Sequence, residues 1–154
     1  MTSDAFDGVS GGETRGTFDP RSYEEIEARF EALGPTAQTV VREVARAMEF
    51  DREEYGERVT SDVVETARQT LFAETLAVQV SDRDAFESWR STYSGTVLVA
   101  GSDNVDRVAW HASPTGEAVA ATFANEPDAA VGTVRRMAFN RLYRDRLVGA
   151  ESDE

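Results

Sequence analysis

Between Thr36 and Glu49 the apolar residues Ala37, Val40, Val41, Val44, Ala45 and Met48 recur every three or four positions, with Gln38, Arg42, Glu43, Arg46 and Glu49 between them. That period lays a nearly continuous apolar stripe along one side of a helix. Upstream, Tyr23, Ile26, Phe30 and Leu33 share a helical face that Ser22 and Glu25 open with the spacing of a capping box. Gly34-Pro35 predicts a stop between these two helices, because Gly accepts a left-handed cap and Pro has no N–H to continue the ladder. Asp51 with Glu54 repeats the capping-box spacing and starts a short helix interrupted around Gly56. Thr60 or Ser61 starts another, bearing Val63, Val64, Ala67 and Leu71. Short connections predict an antiparallel helical cluster over residues 20–73.

After Phe72 the period changes. Leu76, Val78 and Val80 alternate with Ala77 and Gln79, which predicts a strand. Ser81-Asp82 then caps a helix with Phe86, Trp89 and Tyr93 on one face, and Gly95 releases the chain into the β-branched run Thr96 to Ala100. A strand, a crossover helix and a strand predict two parallel neighbours joined by a right-handed connection. Gly101-Ser102-Asp103-Asn104 turns the chain into strands Arg107 to Ser113 and Glu117 to Ala124, joined through Ser113-Pro114-Thr115-Gly116. Asn125, with Glu126 and Pro127 behind it, opens a last helix that runs to about Val148. The expected fold is α+β: a helical cluster packed on a small mixed sheet of about four strands (β-α-β-β-β-α) with a long C-terminal helix. Residues 18–148 form one domain on this reading, with a sheet part over 74–148. Acidic tails occupy 1–17 and 149–154, where too little apolar surface is present to offset the entropy of ordering.

Charge changes the picture of the solvent. The 154 residues carry a formal net charge of −13, and all sixteen basic residues are arginine. In dilute buffer that charge repels itself, whereas in molar salt the screening length falls to about 3 Å and a hydrated carboxylate surface remains. The composition points to the cytosol of an extreme halophile. Cysteine is absent, which excludes disulfides and thiolate chemistry. No apolar run approaches the roughly 20 residues of a membrane span, and the first residues lack a basic segment followed by an apolar one. A cytoplasmic location without membrane association follows as the expectation.

The candidate chemistry centres on His111, the only histidine, because imidazole titrates near neutral pH. Strand alternation puts Arg107, Ala109, His111 and Ser113 on one face and Val108, Trp110 and Ala112 on the other. If like faces pair, His111 lies over the small residues Ala118, Ala120 and Thr122. Asp106, Arg107 and Thr122 then complete a pocket for a small molecule or a hydrolytic reaction. No nucleophile-elbow pattern surrounds any serine. Asp103, Asp106 and Glu117 offer oxygen ligands suited to a hard cation, but in so acidic a chain they read as solvated surface. Neither a metal nor a cofactor is expected. In the last helix Arg135, Arg136, Arg141, Arg144 and Arg146 suggest nucleic acid, yet a step of about 100° per residue spreads them around the helix. Arg135, Arg141 and Arg146 flank the apolar stripe, while Arg136 and Arg144 point away. A helix-turn-helix over residues 36–71 would set Glu53, Glu54 and Glu57 against a polyanion. Nucleic-acid binding is therefore the third reading.

The segments Gly34-Pro35-Thr36-Ala37 through Ala47-Met48-Glu49-Phe50-Asp51, and Asn104-Val105-Asp106-Arg107-Val108-Ala109-Trp110-His111 through Arg144, resemble a haloarchaeal family of uncharacterised proteins. The resemblance spans roughly Phe18 to Val148. It implies a halophilic cytosolic protein and no particular activity. The leading expectation is a small non-enzymatic interaction or regulatory module that self-associates, with Trp110, Arg136 and Arg144 on its contact surface.

Overall fold

The computed structural model describes residues 12–149. The chain runs β1 (Glu13–Arg15), α1 (Tyr23–Ala47), α2 (Arg52–Arg58), α3 (Ser61–Thr75), β2 (Val78–Asp82), α4 (Arg83–Thr92), β3 (Thr96–Ala100), β4 (Arg107–Ala112), β5 (Glu117–Phe123) and α5 (Pro127–Ala138). α5 continues into π-helical turns at Phe139–Tyr143 and Asp145–Gly149. The architecture is α+β, with a helical N-terminal half, a mixed sheet and a C-terminal helix.

Side-chain caps place the helix starts. Ser22 Oγ accepts from the Glu25 N–H, Asp51 and Glu54 form a reciprocal capping box, and Thr60 and Asp82 accept from Val63 and Ala85. The stop expected at Gly34-Pro35 does not occur: α1 is one helix of 25 residues with Pro35 inside it. Pro35 is exposed, so the carbonyl deprived of its helical donor faces water. Across the same turn Arg68 of α3 donates Nε to the Phe30 carbonyl at 2.9 Å and lays its guanidinium 4.1 Å from the Phe30 ring. α3 packs along α1 and splints its two halves. Gly56 likewise fails to interrupt α2.

Among the described residues the mixed sheet, expected to have about four strands, has five, in the order β1-β2-β4-β5-β3. All pairs are antiparallel except β3 with β5. The added strand, β1, falls within the segment expected to be a tail; residues 1–11 and 150–154 of the expected tails lie outside the described residues. β2 and β3 run parallel but are not neighbours, because the β4–β5 hairpin lies between them. α4 accounts for that spacing. Its Phe86 and Trp89 pack on Trp110 of β4, with ring centroids 5.1 and 5.4 Å away, so the helix rests on the hairpin while crossing between the outer strands.

Two cores result, one on each face of the sheet. The larger gathers Val78, Val80, Ala109, Val119 and Ala121 beneath α1, α3 and α5 and includes Phe30, Phe72, Phe139 and Tyr143. The smaller gathers Phe86, Trp89, Val108, Trp110, Ala112, Ala118 and Ala120 beneath α4.

Candidate functional site

The hairpin register decides where His111 sits. His111 pairs with Val119 and Trp110 with Ala120, so odd-numbered residues of β4 and β5 share one face and even-numbered residues the other. His111 therefore shares the large-core face with Val119, Ala121 and Phe123, and the small floor of Ala118, Ala120 and Thr122 lies across the sheet. The ring is fully buried. Nδ1 lies 2.8 Å from the Ala77 carbonyl and Nε2 lies 2.6 Å from the Tyr143 hydroxyl. A carbonyl only accepts, which assigns the proton to Nδ1 and makes Nε2 the acceptor of the tyrosine O–H. Both nitrogens are thereby satisfied in the neutral ring.

Burial pushes the His111 pKa down from 6.5 to about 4, against the opposing hydrogen bond to Ala77 and with the help of Arg135. The Tyr143 hydroxyl, also buried, is pushed well above its ordinary value, first by desolvation. Near neutral pH both groups are held in their uncharged forms. The α5 geometry makes the contact possible: stepping about 100° per residue from Val131, Tyr143 of a regular helix would sit roughly 120° off the buried stripe and Leu142 close to it. The π turn takes up an extra residue, with Arg144 N–H bonding to the Phe139 carbonyl, and brings Tyr143 under the sheet while Leu142 remains half-buried.

The other residues expected around His111 are dispersed. Asp106 is exposed just before β4, and its carbonyl accepts from the Arg83 N–H at 2.7 Å. Arg107 lays its guanidinium 5.1 Å from the centre of the Phe123 ring. Thr122 is on the opposite face, with Oγ1 directed at the Ala100 carbonyl, 3.5 Å away. The hydrolytic or small-molecule pocket expected from these four is not assembled. Among the described residues no three His, Asp or Glu side chains converge as metal ligands. Asp106 precedes β4 beside the Phe123 end of β5, whereas Glu117 opens β5, about 20 Å away at the rise of an extended strand.

Trp110 is fully buried under α4 and presents no surface, whereas Arg136 and Arg144 are exposed on the helix covering the other face. The three expected interface residues therefore form no common patch. Arg135 donates to the Leu76 carbonyl at 3.1 Å and pairs with Glu74 at 3.6 Å, and Arg146 stacks 3.7 Å from the Tyr23 ring. These arginines brace the fold. The helix-turn-helix reading also ends here, because α1 and α3 lie antiparallel side by side, with Arg68 against Phe30 at one end and Val41 near Val63 at the other.

The surface that the late strands do not supply lies on the helices. Beyond Gly34, α1 and α3 form an arm outside the large core. Ala37, Val41 and Ala45 face α3 and are buried, while the adjacent ridge Val40, Val44 and Met48 is 39%, 52% and 58% exposed. Beside it, Val41, Asp62, Val63, Thr66 and Ala67 line a groove of about 400 Å³. The signal was in the spacing: Ala37, Val41, Ala45 and Val40, Val44, Met48 are two separate four-residue ridges, and one neighbouring helix covers only one of them.

Among the described residues no helix is long and apolar enough to cross a membrane. Neither the curated proteins nor the solved structures contain a match to the chain. The model for a family of unknown function, DUF5809, matches residues 17–144, and the chain belongs to that family.

Proposed function

We propose that this domain is a self-associating protein-interaction module, two copies meeting arm to arm in a four-helix arrangement. One observation carries the reading. Of the six large hydrophobic residues exposed among the described residues, four (Val40, Val44, Met48 and Val63) belong to the arm, and a fifth, Tyr55, lies on α2, which connects its two helices. A two-helix hairpin buries little by itself, and an apolar ridge on an otherwise charged chain marks a contact surface. Glu43 borders the ridge beside Val40 and is paired with Arg46 at 3.0 Å, so that border carries both signs.

The setting proposed is the concentrated salt of a haloarchaeal cytoplasm. Molar salt screens the repulsion between two chains of net charge −13 and leaves apolar contact as the main attraction between them. On this reading residues 18–148 act as one unit and His111 serves to hold the scaffold together.

Sedimentation equilibrium in molar KCl tests the proposal. The wild-type chain should sediment as a dimer, and Val44→Glu combined with Met48→Glu should sediment as a monomer with unchanged helical circular dichroism. A wild-type monomer at every concentration, or a double variant that still dimerises, would overturn it.

A further inference from the structure

The two edges of the sheet are built differently. β1 is three residues long and carries Glu13 and Arg15; Arg15 pairs with both Glu13 and Asp128. Short length and charge are the usual means of keeping an edge from pairing. At the opposite edge β3 reads Thr96-Val97-Leu98-Val99-Ala100, without charge or proline. The Thr96 N–H bonds to the Gly116 carbonyl, so alternation turns the N–H and C=O groups of Val97 and Val99 away from β5 and out of the open edge. Leu98, the sixth exposed hydrophobic residue, lies at the middle of this strand.

On the α5 side of β3 the sheet is only partly covered. At the N-terminal end of the strand Thr96, Leu98, Val119, Arg141 and Leu142 enclose a hollow of about 160 Å³. At its C-terminal end Ala100, Gly101, Ala121, Ala129 and Thr133 enclose another of about 280 Å³. Between the strand and the flank of α5 there is thus a shallow trough, mainly apolar at its C-terminal end and bordered by Arg141 at the other; Arg141 shares an adjoining depression with Arg136, Met137 and Asn140. Neither arginine takes part in any ion pair among the described residues. Glu117 closes one end of the trough and Asp145 lies on the outer flank of α5, each beyond ion-pair distance of them.

We propose that the open edge of β3 accepts an extended acidic peptide of a partner protein as a sixth strand. Its backbone bonds to Val97 and Val99, its aliphatic side chains enter the trough beside Leu98, and its carboxylates meet Arg141 and Arg136. Strand addition supplies affinity through main-chain bonds and selectivity through alternate side chains. Guanidinium groups hold carboxylates through paired short-range bonds that molar salt weakens without abolishing. Charge argues against a second copy in this position: a two-fold through Leu98 would place both Arg141 side chains on the same face of the joined sheet, like charge against like. The site is independent of the arm.

Fluorescence anisotropy in molar KCl provides the test, using a labelled synthetic peptide of alternating valine and threonine flanked by aspartates. The wild-type chain should bind it, and the same peptide with lysines in place of aspartates should bind about tenfold more weakly. Val99→Pro, which removes an outward N–H that β5 does not use, should weaken binding by about tenfold or more. Arg141→Glu should reverse the preference between the two peptides. Absence of binding, equal binding of both peptides, or indifference to both substitutions would overturn the proposal. So would a drop in sedimenting mass for Val99→Pro, since that would make the edge a contact between copies. Retention of the arm dimer by both variants, with loss of peptide binding, separates this site from the self-association above.

Discussion

His111 Nε2 accepts the Tyr143 hydroxyl at 2.6 Å inside the large core, across 32 residues of chain. The bond ties the central strand of the sheet to the π turn of the last helix, and the two rings also meet edge-on, with centroids 5.8 Å apart. Replacing Tyr143 by Phe keeps the packing but leaves a buried acceptor without a donor. That loss should lower unfolding free energy by about 1–3 kcal/mol, read as a lower urea midpoint with an unchanged slope. A midpoint equal to wild type would mean that the hydroxyl contributes nothing.

The same pair sets a pH dependence. His111 has a folded pKa of about 4 against an ordinary 6.5, so the unfolded chain binds a proton in that interval and the folded chain does not. The stabilisation is fully present above pH 6.5 and is lost as pH falls toward 4. The slope approaches about 1.4 kcal/mol per pH unit and the whole effect about 3 kcal/mol. His111→Asn isolates the contribution of the histidine. Urea midpoints of the wild type should fall more steeply between pH 6.5 and 4 than those of the variant; parallel curves would refute the assignment.

Just past the end of α1, Glu49 takes φ 61°, with the Glu49 N–H bonded to the Arg46 carbonyl and the Phe50 N–H to the Ala45 carbonyl. That double bond pattern favours glycine at the left-handed position. Glu49→Gly should stabilise the chain by about 1 kcal/mol, with a rise in Tm of about 3 °C by differential scanning calorimetry.

Pro35 interrupts one backbone bond of α1 on its solvent side. Pro35→Ala should restore it and stabilise the arm by about 1–2 kcal/mol, the gain being reduced by the greater freedom of the unfolded chain. Hydrogen exchange at residues 36–47 should slow correspondingly. Unchanged exchange would show that Arg68 and α3 already make up for the missing bond.

Where the sequence carried a local physical cause, the fold was legible. The caps at Ser22, Asp51, Thr60 and Asp82 satisfied helix donors where their spacing indicated, and the alternation after Leu76 marked the strands. Pro35 misled because its cost is local while the support from Arg68 comes 33 residues later. β1 was invisible, since Glu13, Thr14 and Arg15 have no apolar pattern and owe their conformation to the free edge of β2. The surroundings of His111 depended on a parity that no composition of the two strands specifies: a hairpin register one residue different would have put Thr122 on its side. Tyr143 was hidden by the π turn, which a uniform 100° step cannot represent. The arm could have been read from the chain alone, since both of its apolar ridges are plain in the spacing between Ala37 and Met48.

The unequal edges of the sheet also bear on how this chain avoids aggregation. Fibrous growth by strand pairing requires a receptive surface at each end of the stack, so that every added molecule offers the next one a template. Here one border is receptive and the other is brief and charged, and whatever joins at β3 finds no continuation at β1. The sheet can be extended once and then terminates, so an adhesive border does not by itself make the chain a polymer.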